Sequence, residues 1–207
     1  MLSAVTYGMQ IAQSVVTEKE SRIVEILAAA VPIRSLLIGK VVGNTLMALS
    51  QVVLLVAVSL TGMGLTDYRP MLSLIAPVAG WFILFFLVGF ASLACLWAAA
   101  GAMATRVQDL TQTTTPLTML VMLAYVAGFL AKGSAAEVLS YLPIVSTVLM
   151  PGRLLGGEAT GVNALISLLV SVAFMVLAVR SGAAIYRRGL LQTNSVVTYR
   201  QLLSRDR

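Results

Sequence analysis

The sequence predicts an all-α, polytopic bundle of membrane-spanning helices. Apolar residues make up 59% of the 207 positions, well above the roughly 45–50% of a soluble domain. Four apolar stretches, residues 36–60, 77–105, 113–131 and 162–185, are each in or above the range of roughly 17–25 residues that a helix uses to cross the hydrocarbon of a bilayer. Barrel strands instead alternate over about 10 residues, which these runs do not do. The whole chain, 1–207, therefore reads as a single transmembrane domain.

Residues 1–16 are apolar with scattered polar positions. At about 1.5 Å per residue they reach roughly 24 Å, short of a hydrocarbon core of about 30 Å. The segment lacks a basic start and a small-residue cleavage site, so a signal peptide is not expected. It reads as the partial inner end of a span whose beginning is missing, through truncation or a misplaced start.

Residues 17–31 are expected to form a short amphipathic helix. Thr17 followed three positions later by Glu20 has the spacing of a capping box. Glu18 and Arg22, and Arg22 and Glu25, are spaced to pair along one face. Ile23, Ile26, Leu27 and Ala30 make the opposite, apolar face, and Pro32 ends the helix. Charge is costly beside a bilayer, yet Glu18, Lys19, Glu20, Arg22 and Glu25 all fall within eight positions. Such a concentration is expected to face water or a partner.

In the span 36–60, Asn44 and Gln51 lie seven residues apart on one face, where amides either bond across helices or line a pathway. Gly39 and Gly43 are a small-xxx-small pair that permits close helix approach, within the chain or between copies. A short connection with the polar turn Thr66-Asp67-Tyr68-Arg69-Pro70 leads to the span 77–105, where Trp81 has the position of an interfacial anchor. Ahead of the span 113–131, Gln108, Gln112 and the threonines 111 and 113–115 lead into Pro116. They either line a vestibule or cap a helix start, with Pro in the first turn. Residues 132–161 are mostly apolar but interrupted by Pro143, Pro151, Gly152, Gly156 and Gly157. They read either as re-entrant or interfacial helices with Glu137, Arg153 and Glu158 at their wet ends, or as an ordinary loop. Residues 135–141 are long enough for one short helix. In the span 162–185, Arg180 lies near the inner end, within snorkelling reach of the interface. Residues 186–207 form a basic tail.

Charge orients the bundle. With residues 17–35 on one side, that side also receives residues 106–112 and the tail, and so collects eleven of the fourteen Lys and Arg residues. The positive-inside rule makes that side, and the C-terminus, cytoplasmic. Juxtamembrane arginines set topology or touch anionic membrane lipid, so no nucleic acid is expected as a partner.

Much chemistry is excluded by composition. There is no histidine, and Cys95 is the one cysteine, which removes imidazole catalysis, disulfides and cysteine-rich metal sites. Gly39-Lys40 is followed by Val41 and position 34 is Arg, so no phosphate-binding loop is present. Every carboxylate falls in a connection or at a membrane edge, whereas ion-driven carriers bury ionisable groups at mid-membrane. The chain is not expected to be an enzyme or to hold a cofactor or metal, and any energy it uses enters from outside.

Three ordered motifs resemble one family. Glu18, Lys19, Glu20, Arg22, Glu25 and Leu27, then Pro32 and Gly39-Lys40, match an E-K-E-x-R-x-x-E-x-L pattern followed by Pro and G-K in ABC-2 type transporter permeases. The stretches QDLTQTTTPLTML (108–120) and YLPIVSTVLMPGRLL (141–155) are similar to the same family, most of all its NatB-like sodium and drug exporter branch. The resemblance covers nearly the whole chain and corresponds to the C-terminal half of the family pattern, which usually opens with an earlier span and a large extracellular domain. It implies the membrane-spanning subunit of an ATP-driven exporter in the cell membrane, with ATP and Mg on a separate ATP-binding subunit. It also implies a second permease subunit, identical or not, and a substrate that is an ion, a drug or a lipophilic compound. Glu18, Lys19, Glu20, Arg22 and Glu25 would then couple to the ATPase, with Asn44, Gln51, Gln108, Gln112 and Thr115 as pathway-lining candidates. The alternative class is a non-transporting membrane scaffold derived from a truncated permease.

Overall fold

A computed structural model describes residues 2–21 and 31–190 of the chain. All regular structure among them is helical: α1 (Leu2–Glu20), α2 (Ile33–Gly64), α3 (Leu72–Met103), α4 (Leu110–Leu130), α5 (Gly133–Leu139), α6 (Ser146–Leu155) and α7 (Gly161–Leu190). Short 3-10 turns at Arg69–Met71 and Val107–Asp109 lead into α3 and α4. Four helical stretches, Ser35–Gly64, Arg69–Met103, Val107–Leu130 and Gly161–Tyr186, are long and apolar enough to cross a membrane, which bears out the predicted fold class. Their outward faces carry exposed Leu, Val, Ile and Met, as lipid-facing helices require, because no hydrophobic drive favours burying apolar groups away from hydrocarbon.

Several boundaries differ from expectation for local reasons. Thr17 does not begin a helix: α1 runs unbroken to Glu20, and the Thr17 carbonyl accepts a hydrogen bond from Ser21 N at 3.0 Å. The Thr-x-x-Glu pattern therefore falls in the last turn of a helix. Arg22 and Glu25 lie outside the described residues. Pro77 and Pro116 are inside α3 and α4, since each helix starts several residues earlier than its proline. Pro151 likewise sits within α6 and does not break it.

The chain divides into two compact units, the first comprising Met1–Asn44, Ala91–Leu120 and Val176–Arg207, the second Thr45–Phe90 and Val121–Met175. In the first, the α3 segment is the buried axis, with Trp97, Ala98 and Ala102 fully enclosed. Small residues let other helices reach it. A Cβ on Gly8 of α1 would stand 2.4 Å from the Trp97 indole, and one on Gly101 would stand 2.4 Å from the Ala12 carbonyl oxygen. On α7, a Cβ at Gly182 would meet the Cys95 carbonyl at 3.0 Å. The expected small-residue pair Gly39 and Gly43 has nothing within 4 Å at either Cβ position, so it forms no packing seam among the described residues.

In the second unit, α6 is the organising element. Met150 joins Phe85 of α3, Ala159 and Ala164 in one core cluster, and Val145 and Leu149 join Ala136 of α5 in another. Serines supply the polar counterpart. Ser167 Oγ donates to the Ser140 carbonyl at 2.7 Å, and the Ser146 and Ser171 hydroxyls lie 3.1 Å apart. All four serines are buried, where a satisfied hydroxyl fixes one register between apolar helices. α5 and α6 have 7 and 10 residues, too few to cross hydrocarbon. Between them Ile144 adopts φ 73°, an uncommon conformation for a β-branched residue.

The two kinds of glycine predict opposite outcomes. Gly101→Ala is expected to lower stability by about 1–3 kcal/mol, since backbone rather than a flexible side chain occupies the space. Gly39→Ala should be neutral or stabilising by up to about 1 kcal/mol, through helix propensity alone. Thermal unfolding of the two variants in the same detergent checks the contrast.

Candidate functional site

The charged motif forms a clasp at the end of α1. Glu18, Lys19 and Glu20 occupy successive positions, and at 3.6 residues per turn their side chains leave the helix in three directions. Each meets a different element of the first unit.

Glu18 Oε1 accepts from Lys40 Nζ of α2 at 2.6 Å. The Lys40 ammonium also donates to Ser14 Oγ, one turn back on α1. Lys19 Nζ donates to the carbonyl oxygens of Ala102 at 2.8 Å and Ala104 at 3.1 Å. These carbonyls lie at the C-terminal end of α3, where the last four have no intrahelical donor and the helix dipole is negative. Lys19 is thus a C-cap delivered from another helix. Glu20 Oε2 accepts from Val107 N at 3.2 Å, at the turn that opens α4, where unpaired amides and the positive dipole end favour a carboxylate. Asp109 closes the same turn by accepting from Arg106 N at 3.1 Å and from Thr105 Oγ1.

Electrostatics follows from these placements. Lys19 is 6% exposed, and burial pushes its ammonium down from 10.5 to about 8. Desolvation disfavours the charged form of a lysine. Glu18 and Lys40 are only partly buried, so their pair is worth less than its short distance suggests.

Of the expected coupling residues, Glu18, Lys19 and Glu20 come together, joined by Lys40, which is not among the residues expected to couple. Its signal was its place inside an apolar run: a cation there needs an anion within reach. The expected Glu18–Arg22 and Arg22–Glu25 pairs fall on residues outside those described. Four of the five pathway candidates, Asn44, Gln108, Gln112 and Thr115, lie in the first unit. Asn44 donates back to the Lys40 carbonyl of its own helix at 2.9 Å, while Gln51 is exposed and belongs to the other unit. Gln108 and Gln112 are exposed, and the Thr115 hydroxyl donates to the Thr111 carbonyl one turn earlier. Thr114 and Thr118 make the same backward bonds, a habit of threonines in apolar helices.

Four membrane-length apolar helices, three of them tied to α1 by the charged clasp, define a polytopic membrane protein. The chain belongs to the ABC-2 transporter family, whose model, described as ABC-2 family transporter protein, matches residues 1–180. It is 26% identical over 203 residues to the uncharacterized protein YhaP of Bacillus subtilis (strain 168), a match that takes in 91% of this chain and 48% of that protein. The chain thus spans about half the length of the curated relative it matches. No solved structure matches it.

Lys19 gives the clasp a pH signature. Between about pH 8 and 10.5 the unfolded lysine still holds a proton that the folded one has released, so unfolding takes up protons and stability rises with pH. Below about 8 both states are protonated and the cost of burying the charge is constant. Wild type minus Lys19→Met, followed by thermal unfolding across that range, should show the rise. A flat difference would place the lysine in water.

Proposed function

We propose that this chain is the membrane-spanning permease of an ATP-driven ABC-2 exporter, working with a separate ATP-binding subunit that carries ATP and Mg. A second permease subunit, identical or different, would complete the transport unit. The charge distribution supports a cytoplasmic position for the clasp and the C-terminus, with eleven of fourteen basic residues on that side. The motifs at residues 18–40, 108–120 and 141–155 favour the NatB-like branch, in which the cargo is an ion, a drug or a lipophilic compound.

The observation that carries this reading is the clasp. Residues 21–32 connect α1 to α2, and a partner pressing on that connection would act on the last turn of α1. Three consecutive side chains there bond to α2, to the end of α3 and to the start of α4. A push at one point is then shared by four helices, because charge-assisted bonds with defined geometry resist being sheared separately. Arg22 and Glu25 would meet the ATPase, while Glu18, Lys19 and Glu20 would carry its displacement inward. Switching between discrete states requires such rigid bodies.

Two exchanges test this. Charge reversal at Arg22 or Glu25 should uncouple ATP hydrolysis from export while membrane insertion continues. Glu18→Lys should impair export, and adding Lys40→Glu should recover a large part of it, since the swapped pair restores the link. Co-purification of an ATP-binding subunit with the permease, with ATPase activity in the eluate, provides the assay. Normal transport by the Arg22 and Glu25 reversals would refute the coupling role. Failure of Lys40→Glu to rescue Glu18→Lys would refute the clasp as the transmitting element.

A further inference from the structure

A second polar site lies within the other unit, which is formed by Thr45–Phe90 and Val121–Met175. The end of α4, the start of α5 and the C-terminal half of α6 surround a cavity of about 430 Å³, lined by Gly128, Lys132, Gly133, Arg153, Gly156 and Glu158 among others. Four glycines, Gly128, Gly133, Gly152 and Gly156, bring backbone into its wall beside the charged side chains. Gly133 holds φ +58°, a conformation that lets the chain turn sharply between α4 and α5 and leaves Lys132 at the rim.

Arg153 is its unusual member. It is 8% exposed, and its guanidinium donates through Nη1 to Ser140 Oγ at 2.7 Å and through Nη2 to the Glu158 carbonyl at 3.3 Å. Its Nε has no hydrogen-bond partner. The Glu158 carboxylate is 3.8 Å away, too far for a hydrogen bond, and its side chain is 65% exposed. A buried guanidinium with an unmet donor and a loosely held carboxylate is an incomplete anion site, since its planar fork favours two-point contact with an oxyanion. Lys132 is exposed and has no hydrogen bond or ion pair among the described residues. The two cations exceed the one carboxylate, so the cavity carries net positive charge.

We propose that this cavity binds a phosphate-type oxyanion between Arg153 and Lys132, with Glu158 as the internal carboxylate that the ligand displaces. Either a lipid headgroup or free phosphate has the right chemistry. Because Glu158 competes with the ligand for Arg153, removing its charge should tighten binding, an outcome that a purely structural ion pair would not produce.

The full-length protein is placed in phosphatidylcholine nanodiscs, and its melting temperature is followed as inorganic phosphate is added. A second series replaces part of the lipid with phosphatidylglycerol and counts retained lipid by native mass spectrometry. Arg153 is left intact, because Ser140 and the Glu158 carbonyl depend on it. The expected result is a saturable stabilisation by ligand, with affinity about fivefold weaker in Lys132→Gln and about fivefold tighter in Glu158→Gln, as one partly screened charge gives. If phosphate alone produces this order, the ligand is a free oxyanion; if only phosphatidylglycerol does, it is a headgroup. No stabilisation by either, or equal affinity in wild type and both variants, overturns the site.

Discussion

The controlling constraint is that helix ends carry peptide groups with no partner inside the helix. An end withdrawn from water must be met by another part of the chain. The end of α3 is met by Lys19 and the start of α4 by Glu20. Both donors of charge come from one turn of α1, and the third residue of that turn reaches α2. The close seam of Gly8, Ala12 and Gly101 makes this reach possible, because only a backbone-to-backbone approach brings α1 near enough to the tip of α3.

The two units use different polar chemistry for the same purpose. One holds its helices with formal charges at a helix end. The other holds short helices with buried hydroxyls, Ser140, Ser146, Ser167 and Ser171, and with the single guanidinium of Arg153. Neutral hydroxyls suit helices packed among apolar side chains, where an unpaired charge would be far more costly. Arg153 is tolerated because two of its nitrogens are bonded within the fold. The α6 helix, though it contains Pro151, remains intact because tertiary packing of Leu149 and Met150 outweighs one lost backbone bond.

Length and hydropathy made the spans legible, since the bilayer sets a minimum that few other folds satisfy. The contacts of the charged motif were not legible. Glu18 meets Lys40 at a separation of 22 residues, and Lys19 and Glu20 meet partners 83 to 87 residues away. Local spacing instead suggested pairs along one face. Thr17 and Glu20 have the spacing of a helix start, but capping patterns state which groups are available and not which end of a helix they occupy. Gly39 and Gly43 have a familiar packing spacing but no neighbour at their Cβ positions among the described residues, whereas Gly8 and Ala12 of α1, at the same spacing, make the seam. The difference lies in what stands opposite, which one helix cannot reveal.

The cap on α3 also orders assembly in time. α1 precedes α3 along the chain, so Lys19 and Glu20 are synthesised before the carbonyls and amide they will bind. As the hairpin of α3 and α4 arrives, its turn would remain exposed until it finds α1. The clasp can therefore close only after the turn between α3 and α4 has been made.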